Sequence, residues 1–234
     1  MKNAIVLCSG GLDSVTTAHY AKKKLKYKEI IILFFDYGQR SIRQERKFSK
    51  KCAIDCNAKF VEIKLRWLGK ISKSLINEPG KVDKLRKEDL KDTKKESEKW
   101  YVPCRNLVFL THALALAESL FIKEKEVYSI FTGFKCEGKE SYPDTTEKFV
   151  KEINKLSKIS CSYHFLIKAP LIKKDKEDII KLGEKTGVDF KKTISCYSPI
   201  KGEHCGYCLA CKLRQQGFYW AGIKDPTRYK QKID

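Results

Sequence analysis

Ser9-Gly10-Gly11-Leu12-Asp13-Ser14, entered from the apolar stretch Ala4-Ile5-Val6-Leu7-Cys8, decides how this chain folds. The five apolar residues read as a short strand buried on both faces. Ser14 to Tyr27 then repeats Val15, Ala18, Ala21 and Leu25 at helical spacing, so the residues between form a strand-to-helix turn. Two glycines let that turn take positive φ angles and approach a ligand closely. The N–H groups entering the helix point outwards with the positive end of its dipole behind them, which makes an anion cradle. Ser9 and Ser14 add hydroxyl donors, and Asp13 adds a carboxylate suited to Mg²⁺. The loop lacks the Gly-Lys-Ser/Thr ending of a Walker loop and the Gly-x-Gly-x-x-Gly spacing of a dinucleotide fingerprint. A plainer reading is a tight turn with Asp13 and Ser14 as helix caps. Its position at the carboxyl end of the first strand, where open α/β sheets bind ligands, favours the anion site.

Working outward, the alternation recurs. Ile30–Phe35 reads as a second strand, Ser41–Cys56 as a basic helix and Phe60–Leu65 as a third strand. Asn106–Phe121 is the helix expected to be most buried, and Glu126–Thr132 follows as a fourth strand. Thr145–Ser157 reads as a helix, Phe165–Ala169 as a fifth strand, Asp175–Thr186 as a helix closed by Gly187, and Leu209–Trp220 as a final helix. This predicts an α/β fold over residues 1–190, a parallel five-stranded sheet flanked by helices in the Rossmann manner, with a small helical C-terminal module over 191–234. Lys81–Lys99 is almost entirely charged and is predicted to be a surface excursion, a solvated helix or a flap inserted in the first domain.

The 234 residues carry 49 Lys and Arg against 29 Asp and Glu, a formal net charge of +20, with 42% hydrophobic residues. That apolar share excludes disorder as the main state and suffices for one core with a satellite module. The basic excess attracts phosphate, yet only eight of the basic residues are Arg, the type favoured for bidentate recognition. Lys spread along the whole chain reads as a solvated surface, so no nucleic-acid partner is expected. No apolar run approaches the roughly 20 residues that cross a bilayer, and Met1-Lys2-Asn3 is too short a start for a signal peptide. A soluble, cytoplasmic protein without a membrane partner is therefore predicted.

Of ten Cys, four crowd together: Cys196, Cys205, Cys208 and Cys211. Cys205-Gly206-Tyr207-Cys208 and Cys208-Leu209-Ala210-Cys211 are overlapping C-x-x-C spacings that turn successive thiolates towards one ion, and Cys196 supplies a fourth corner. A closed four-thiolate set leaves no open position, so the ion is structural. His204 is a competing ligand, and an iron–sulfur cluster a competing occupant. Cys8, Cys52, Cys56, Cys104, Cys136 and Cys161 read as core or incidental thiols.

The loop Ser9–Ser14 resembles the pyrophosphatase loop of the adenine nucleotide α-hydrolase-like ATP pyrophosphatases, which cleave ATP between the α and β phosphates. Asp36-Tyr37-Gly38-Gln39-Arg40, Tyr101-Val102-Pro103-Cys104-Arg105-Asn106, Tyr142-Pro143-Asp144, Ser195-Cys196-Tyr197 and the Cys cluster narrow the resemblance to the 7-cyano-7-deazaguanine synthase (QueC) family, in order from near residue 4 to Pro226. The resemblance implies a ligase that uses ATP and Mg²⁺ to convert 7-carboxy-7-deazaguanine and ammonia to the nitrile, through an adenylated carboxylate and then an adenylated amide. It also implies a homodimer and one structural Zn²⁺ per chain, zinc being preferred to iron on that ground. Carried over residue by residue, it assigns catalysis to Ser9, Asp13, Ser14 and Arg105. Nucleotide contacts fall to Leu7, Cys8, Ser9, Gly10, Gly11, Leu12, Asp13, Ser14, Asp36, Gln39, Arg105 and Asn106, and substrate contacts to Tyr37, Tyr142, Asp144 and Lys173, with Lys174 as an alternative to Lys173. Where the family usually reads E-D-Y-S-G-Y-P-D-C-R-P-E-F, Glu137 to Phe149 retains Tyr-Pro-Asp but lacks the family's Asp, Gly, Cys and Arg. Two alternatives stay open: a paralogue that adenylates a different carboxylate, including a protein-linked one, or joins a deazaguanine to a protein; and a tRNA-modifying enzyme with the same loop.

Overall fold

The computed structural model describes residues 2–135 and 142–231, so Cys136 and the Glu137–Ser141 part of the divergent segment lie outside the described residues. Five parallel strands stand in the order β3-β2-β1-β4-β5: β1 Asn3–Leu7, β2 Ile30–Asp36, β3 Lys59–Lys64, β4 Tyr128–Phe131 and β5 Ile167–Lys168. Every residue of β1 and β2 is buried, as strands covered on both faces must be. Their side chains alternate. Ala4, Val6, Ile30 and Ile32 face one core with α1 (Leu12–His19), α2 (Ile42–Asp55) and α7 (Lys176–Lys185). Ile5, Leu7, Ile31, Leu33 and Phe35 face the other core with α5 (Arg105–Glu124). Short helices α3 (Arg66–Lys70) and α4 (Lys94–Glu98), then α6 (Glu147–Ser160) and α8 (Leu209–Ala221), complete the set.

The predicted parallel five-stranded architecture is what the chain adopts. The strand order reverses between β1 and β4, a topological switch point where the carboxyl-end loops diverge and leave a crevice. Two sequence expectations need correcting. The helix read as Ser14–Tyr27 passes into a π turn at Tyr20–Lys24. The helix with the greatest burial is α1, with seven of eight residues buried, whereas α5 buries five of twenty. By length and composition α5 would also span a bilayer, but its inner stripe, Leu110, Ala113, Leu114 and Ala117, belongs to the core.

Lys81–Lys99 is mostly exposed, as its charge predicts, and carries a short 3₁₀ turn at Glu88–Lys91 before α4. Its charges are partly matched: the Lys99 ammonium pairs with Asp83 and Glu96, and buried Glu96 accepts a hydrogen bond from Trp100 Nε1 at 3.0 Å. Leu85 is buried and its N–H donates to Tyr207 O at 3.1 Å, which fastens the segment to the Cys-rich region. The residues of 191–234 likewise pack into the sheet's core: Cys196, Cys205, Cys208 and Cys211 share one apolar cluster with Leu33 and Phe35. Arg214 on α8 is fully buried and donates to Thr193, Ser195, Thr227 and the Phe190 carbonyl.

Candidate functional site

The loop after β1 lies at the switch point. Gly10 has φ +73, and a Cβ there would sit 2.8 Å from both Glu45 O and Phe48 Cβ, so the turn requires glycine twice over. Gly11 N donates to Ser9 Oγ at 3.3 Å, and Ser14 Oγ donates to Gly11 O at 3.0 Å. No side chain caps the start of α1 at Gly11, which leaves its first N–H groups to an anion. A Cβ on Gly133 of the β4 loop would meet Ser14 N at 3.0 Å, so the two switch-point loops touch backbone to backbone. From the far end of the chain, Ile194 N donates to Gly10 O at 2.8 Å.

A cavity of about 300 Å³ opens over this loop, lined on the near side by Leu7, Cys8, Ser9, Gly11, Leu12, Asp13 and Ser14. Tyr37, Arg105, Asn106 and Phe109 line it from β2 and α5, and Ile194 to Tyr197, Ala210 and Leu213 close it. Arg105 is set by the backbone before it. Cys104 holds φ +53, a conformation that glycine adopts without strain, and turns the chain into α5 with Arg105 as first residue. The guanidinium stands 5.8 Å from the centre of the Tyr37 ring. Burial opposes its charge, but Tyr37 and Asp144 more than compensate and raise its pKa. Burial pushes the Tyr37 phenol up to about 12, so it stays protonated as a donor.

Lys176, the first residue of α7, reaches across the loop and bonds both Asp13 oxygens, at 2.8 and 2.7 Å. It lines the cavity, whereas Lys173 is exposed and paired with Glu147 at 3.2 Å. Other residues proposed from sequence stand behind the cavity. Gly10 packs on α2. Asp36 accepts from Arg46, Arg66 and Gly38 N, so it caps the turn after β2 and is engaged by two guanidinium groups. Gln39 accepts from Tyr37 N and donates to Phe35 O and Glu45. Asp144 caps α5 by accepting from both Asn106 N and Asn106 Nδ2, and Tyr142 OH donates to Ser97 O. Sequence reasoning passed over Lys176, Glu45 and Tyr197, all of which line the cavity. For Lys176 there was a signal, its place directly after Asp175 at the start of a helix following β5. Glu45 is half-buried, and the desolvation of its carboxyl raises the pKa although Ser41, Gln39 and Arg105 oppose the rise.

The four clustered Cys converge: their sulfurs all lie within 4.8 Å of one another and all four residues are buried. Cys196 and Cys208 sulfurs are 4.0 Å apart, those of Cys205 and Cys211 3.8 Å, close to the edge of a tetrahedron with Zn–S near 2.3 Å. Cys205 N and Cys208 N each donate to a cluster sulfur at 3.3 Å, the arrangement that stabilises thiolate. Gly206, at φ +94, has no room for a Cβ, which would meet Gln231 O at 1.9 Å. His204 is turned away, its Nε2 accepting from Ser195 N at 3.1 Å, so the competing ligand is set aside by geometry. The donor set fits zinc.

A family model described as Queuosine biosynthesis protein QueC matches residues 3–222. Among curated proteins, the chain is similar to the 7-cyano-7-deazaguanine synthase of Methanothermobacter thermautotrophicus, 31% identical over 97% of this chain and 99% of that one. It is likewise similar to those of Methanosphaera stadtmanae, 36% identical over 97% and 98%, and of Rickettsia akari, 36% identical over 98% and 100%. Among solved structures, NMN synthetase from Francisella tularensis aligns with 95% of this chain and 78% of that one, at 13% identity and a TM-score of 0.39.

Proposed function

The chain belongs to the QueC family of queuosine biosynthesis proteins, and from that premise we propose that its cavity makes 7-cyano-7-deazaguanine from 7-carboxy-7-deazaguanine, ammonia and ATP. The observation that carries the reading is the convergence of the uncapped α1 start, Ser9, Ser14, Lys176 and Arg105 around one cavity at the switch point. Only an anion of several charges uses all of them.

Carboxylate oxygen is a poor leaving group. Attack of that oxygen on the α-phosphorus of ATP expels pyrophosphate and leaves an acyl adenylate; ammonia then displaces AMP, giving an amide after loss of a proton. The amide oxygen attacks the α-phosphorus of a second ATP and expels pyrophosphate, and departure of AMP with loss of both N–H protons leaves the nitrile. Both halves make the same demand on the protein. Loop N–H groups, Ser9 and Ser14 hold the departing pyrophosphate, while Arg105 and Lys176 stabilise charge as it builds on the phosphates. Asp13, whose oxygens already hold the Lys176 ammonium, would be the residue that holds Mg²⁺, and the ion would supply further neutralisation of phosphate charge. Tyr37, a protonated donor at the cavity's end, and Tyr197 face the deazaguanine side. Asp144 acts through Asn106 and the α5 start that carries Arg105, and Tyr142 through Ser97.

A zinc ion held by Cys196, Cys205, Cys208 and Cys211 would fix the wall that carries Ile194 to Tyr197, and on this reading residues 191–234 form a module by their metal chemistry, joined to the 1–190 domain by a shared core. A homodimer is proposed as well. Ile122, Leu156, Ile159, Tyr163 and Leu166 are exposed apolar residues on and beside α5 and α6, and a second copy would cover such area.

The test incubates the protein with ATP, Mg²⁺, ammonium and 7-carboxy-7-deazaguanine and follows AMP and product mass. Two AMP for each nitrile are expected. AMP released only with some other carboxylate acceptor would replace this substrate by the paralogue reading while leaving the loop's role intact.

A further inference from the structure

A second group of thiols meets beneath the phosphate loop, away from the C-terminal cluster. Cys52 and Cys56 are four residues apart on α2 and so share its inward face. His19 comes from the last turn of α1, and Cys8 follows β1. A ring nitrogen of His19 and the sulfurs of Cys52 and Cys56 lie within 4.8 Å of one another, and all three residues are buried. Cys8 sits against Cys52 on the loop side of this group.

The histidine makes the cluster more than a set of core thiols. His19 Nδ1 bonds the Thr186 carbonyl at 3.2 Å, so in the neutral ring Nδ1 carries the hydrogen and the lone pair is on Nε2. Nε2 is buried with no partner at hydrogen-bond geometry, and its neighbour is the Cys56 thiol, a weak donor. A metal-binding imidazole is commonly fixed in this way, one nitrogen tied to a backbone carbonyl and the other left for the ion. An unpaired nitrogen in a packed core is costly, and a cation beside it removes the cost. With Zn–N near 2.0 Å and Zn–S near 2.3 Å, a tetrahedral ion needs ligand atoms about 3.5–3.8 Å apart, a contraction of roughly 1 Å at most. Two thiolates and a neutral imidazole also balance a divalent charge, which matters where no water reaches.

We infer that His19, Cys52 and Cys56, with Cys8 as the nearest fourth donor, form a second metal site that takes Zn²⁺. The ion would join α1, α2 and the end of β1, the three elements that frame Ser9–Ser14. Cys8 transmits the connection, because Ser14 Oγ donates to its sulfur at 3.6 Å and Ser49 Oγ to its carbonyl at 2.7 Å. Its role is to hold the base of the loop, not to take part in the reaction.

The full chain, equilibrated with excess Zn²⁺ and desalted, is to be weighed by native mass spectrometry beside Cys56→Ser and His19→Gln. Two zinc ions per wild-type chain and one in each variant are expected, with the C-terminal cluster still filled. One ion in all three proteins would mean a buried imidazole beside ordinary thiols, and would overturn the assignment. Should a variant fail to fold, Co²⁺ titration of zinc-depleted wild type decides. Thiolate-to-cobalt absorption that keeps growing through the second equivalent supports the site, and a second equivalent that shows only the spectrum of aqueous cobalt overturns it.

Discussion

The two walls of the cavity have different origins. Ser9 and Gly11 to Ser14 form the near wall from one short loop, and most of what it offers is backbone N–H or a small hydroxyl. The far wall gathers Arg105, Lys176, Tyr197, Ala210 and Leu213 from three helices and a loop, and what it offers is charge and shape. A phosphate cradle needs only a local turn, whereas the groups that face it must be delivered by the fold. The near wall is therefore robust to distant change, and the far wall is vulnerable to whatever holds the last forty or so residues in place.

The largest expected effect attacks that vulnerability. Cys208→Ala should empty the C-terminal cluster and, because its ligands sit in the core shared with Leu33 and Phe35, cost soluble protein as well as activity. Zinc content and soluble yield measure it; a soluble, fully active variant would mean the far wall stands without the ion. Arg105→Ala comes next, with kcat expected to fall about 10²–10³-fold if the guanidinium meets charge that develops in the reaction. Lys176→Met paired with Lys173→Met sharpens the contrast. A loss of about 10–100-fold is expected for the residue bonded to Asp13, and no more than about twofold for the exposed one. Reversal of that order in steady-state assays would place the substrate on the outer face of α7.

The smallest effect concerns the backing of the near wall. Burial raises the Glu45 carboxyl above its ordinary 4.5, so the folded state holds that proton more tightly than the unfolded chain does. The resulting stability is fully present below the unfolded value and lost as pH rises through the folded one. Glu45→Gln has no such loss. The variant's stability relative to wild type should therefore climb as pH rises from the ordinary carboxylate value through the folded one in denaturant titrations, and a flat difference would show that the carboxyl titrates as if exposed.

Much of this was legible because strands and the loop are local. Ile30 to Phe35, continuous in apolar character, announces a strand covered on both faces, and Gly10-Gly11 a turn that only a backbone cradle requires. The helix phase at Lys173 to Lys176 was harder. Three lysines stand in four positions there, and only the start of α7 at Lys176 decides which one faces the loop. Lys81–Lys99 was readable as a surface excursion from its charge, whereas its anchors were not: Lys99 pairs with Asp83 and Glu96, and Glu96 is held by Trp100. The grouping of His19 with Cys52 and Cys56 is invisible in sequence because it depends on how α1 and α2 pack, and no short spacing records that.

The hydrogen bond from Ile194 N to Gly10 O has a consequence in time. A ribosome adding roughly 5–20 residues per second needs about 10–40 s to travel from the first of these residues to the second. Throughout that interval the phosphate loop exists without the segment that braces it or the wall that faces it. The nascent chain is therefore delivered inert and becomes competent in one late step, when its C-terminal portion closes over a cradle made long before.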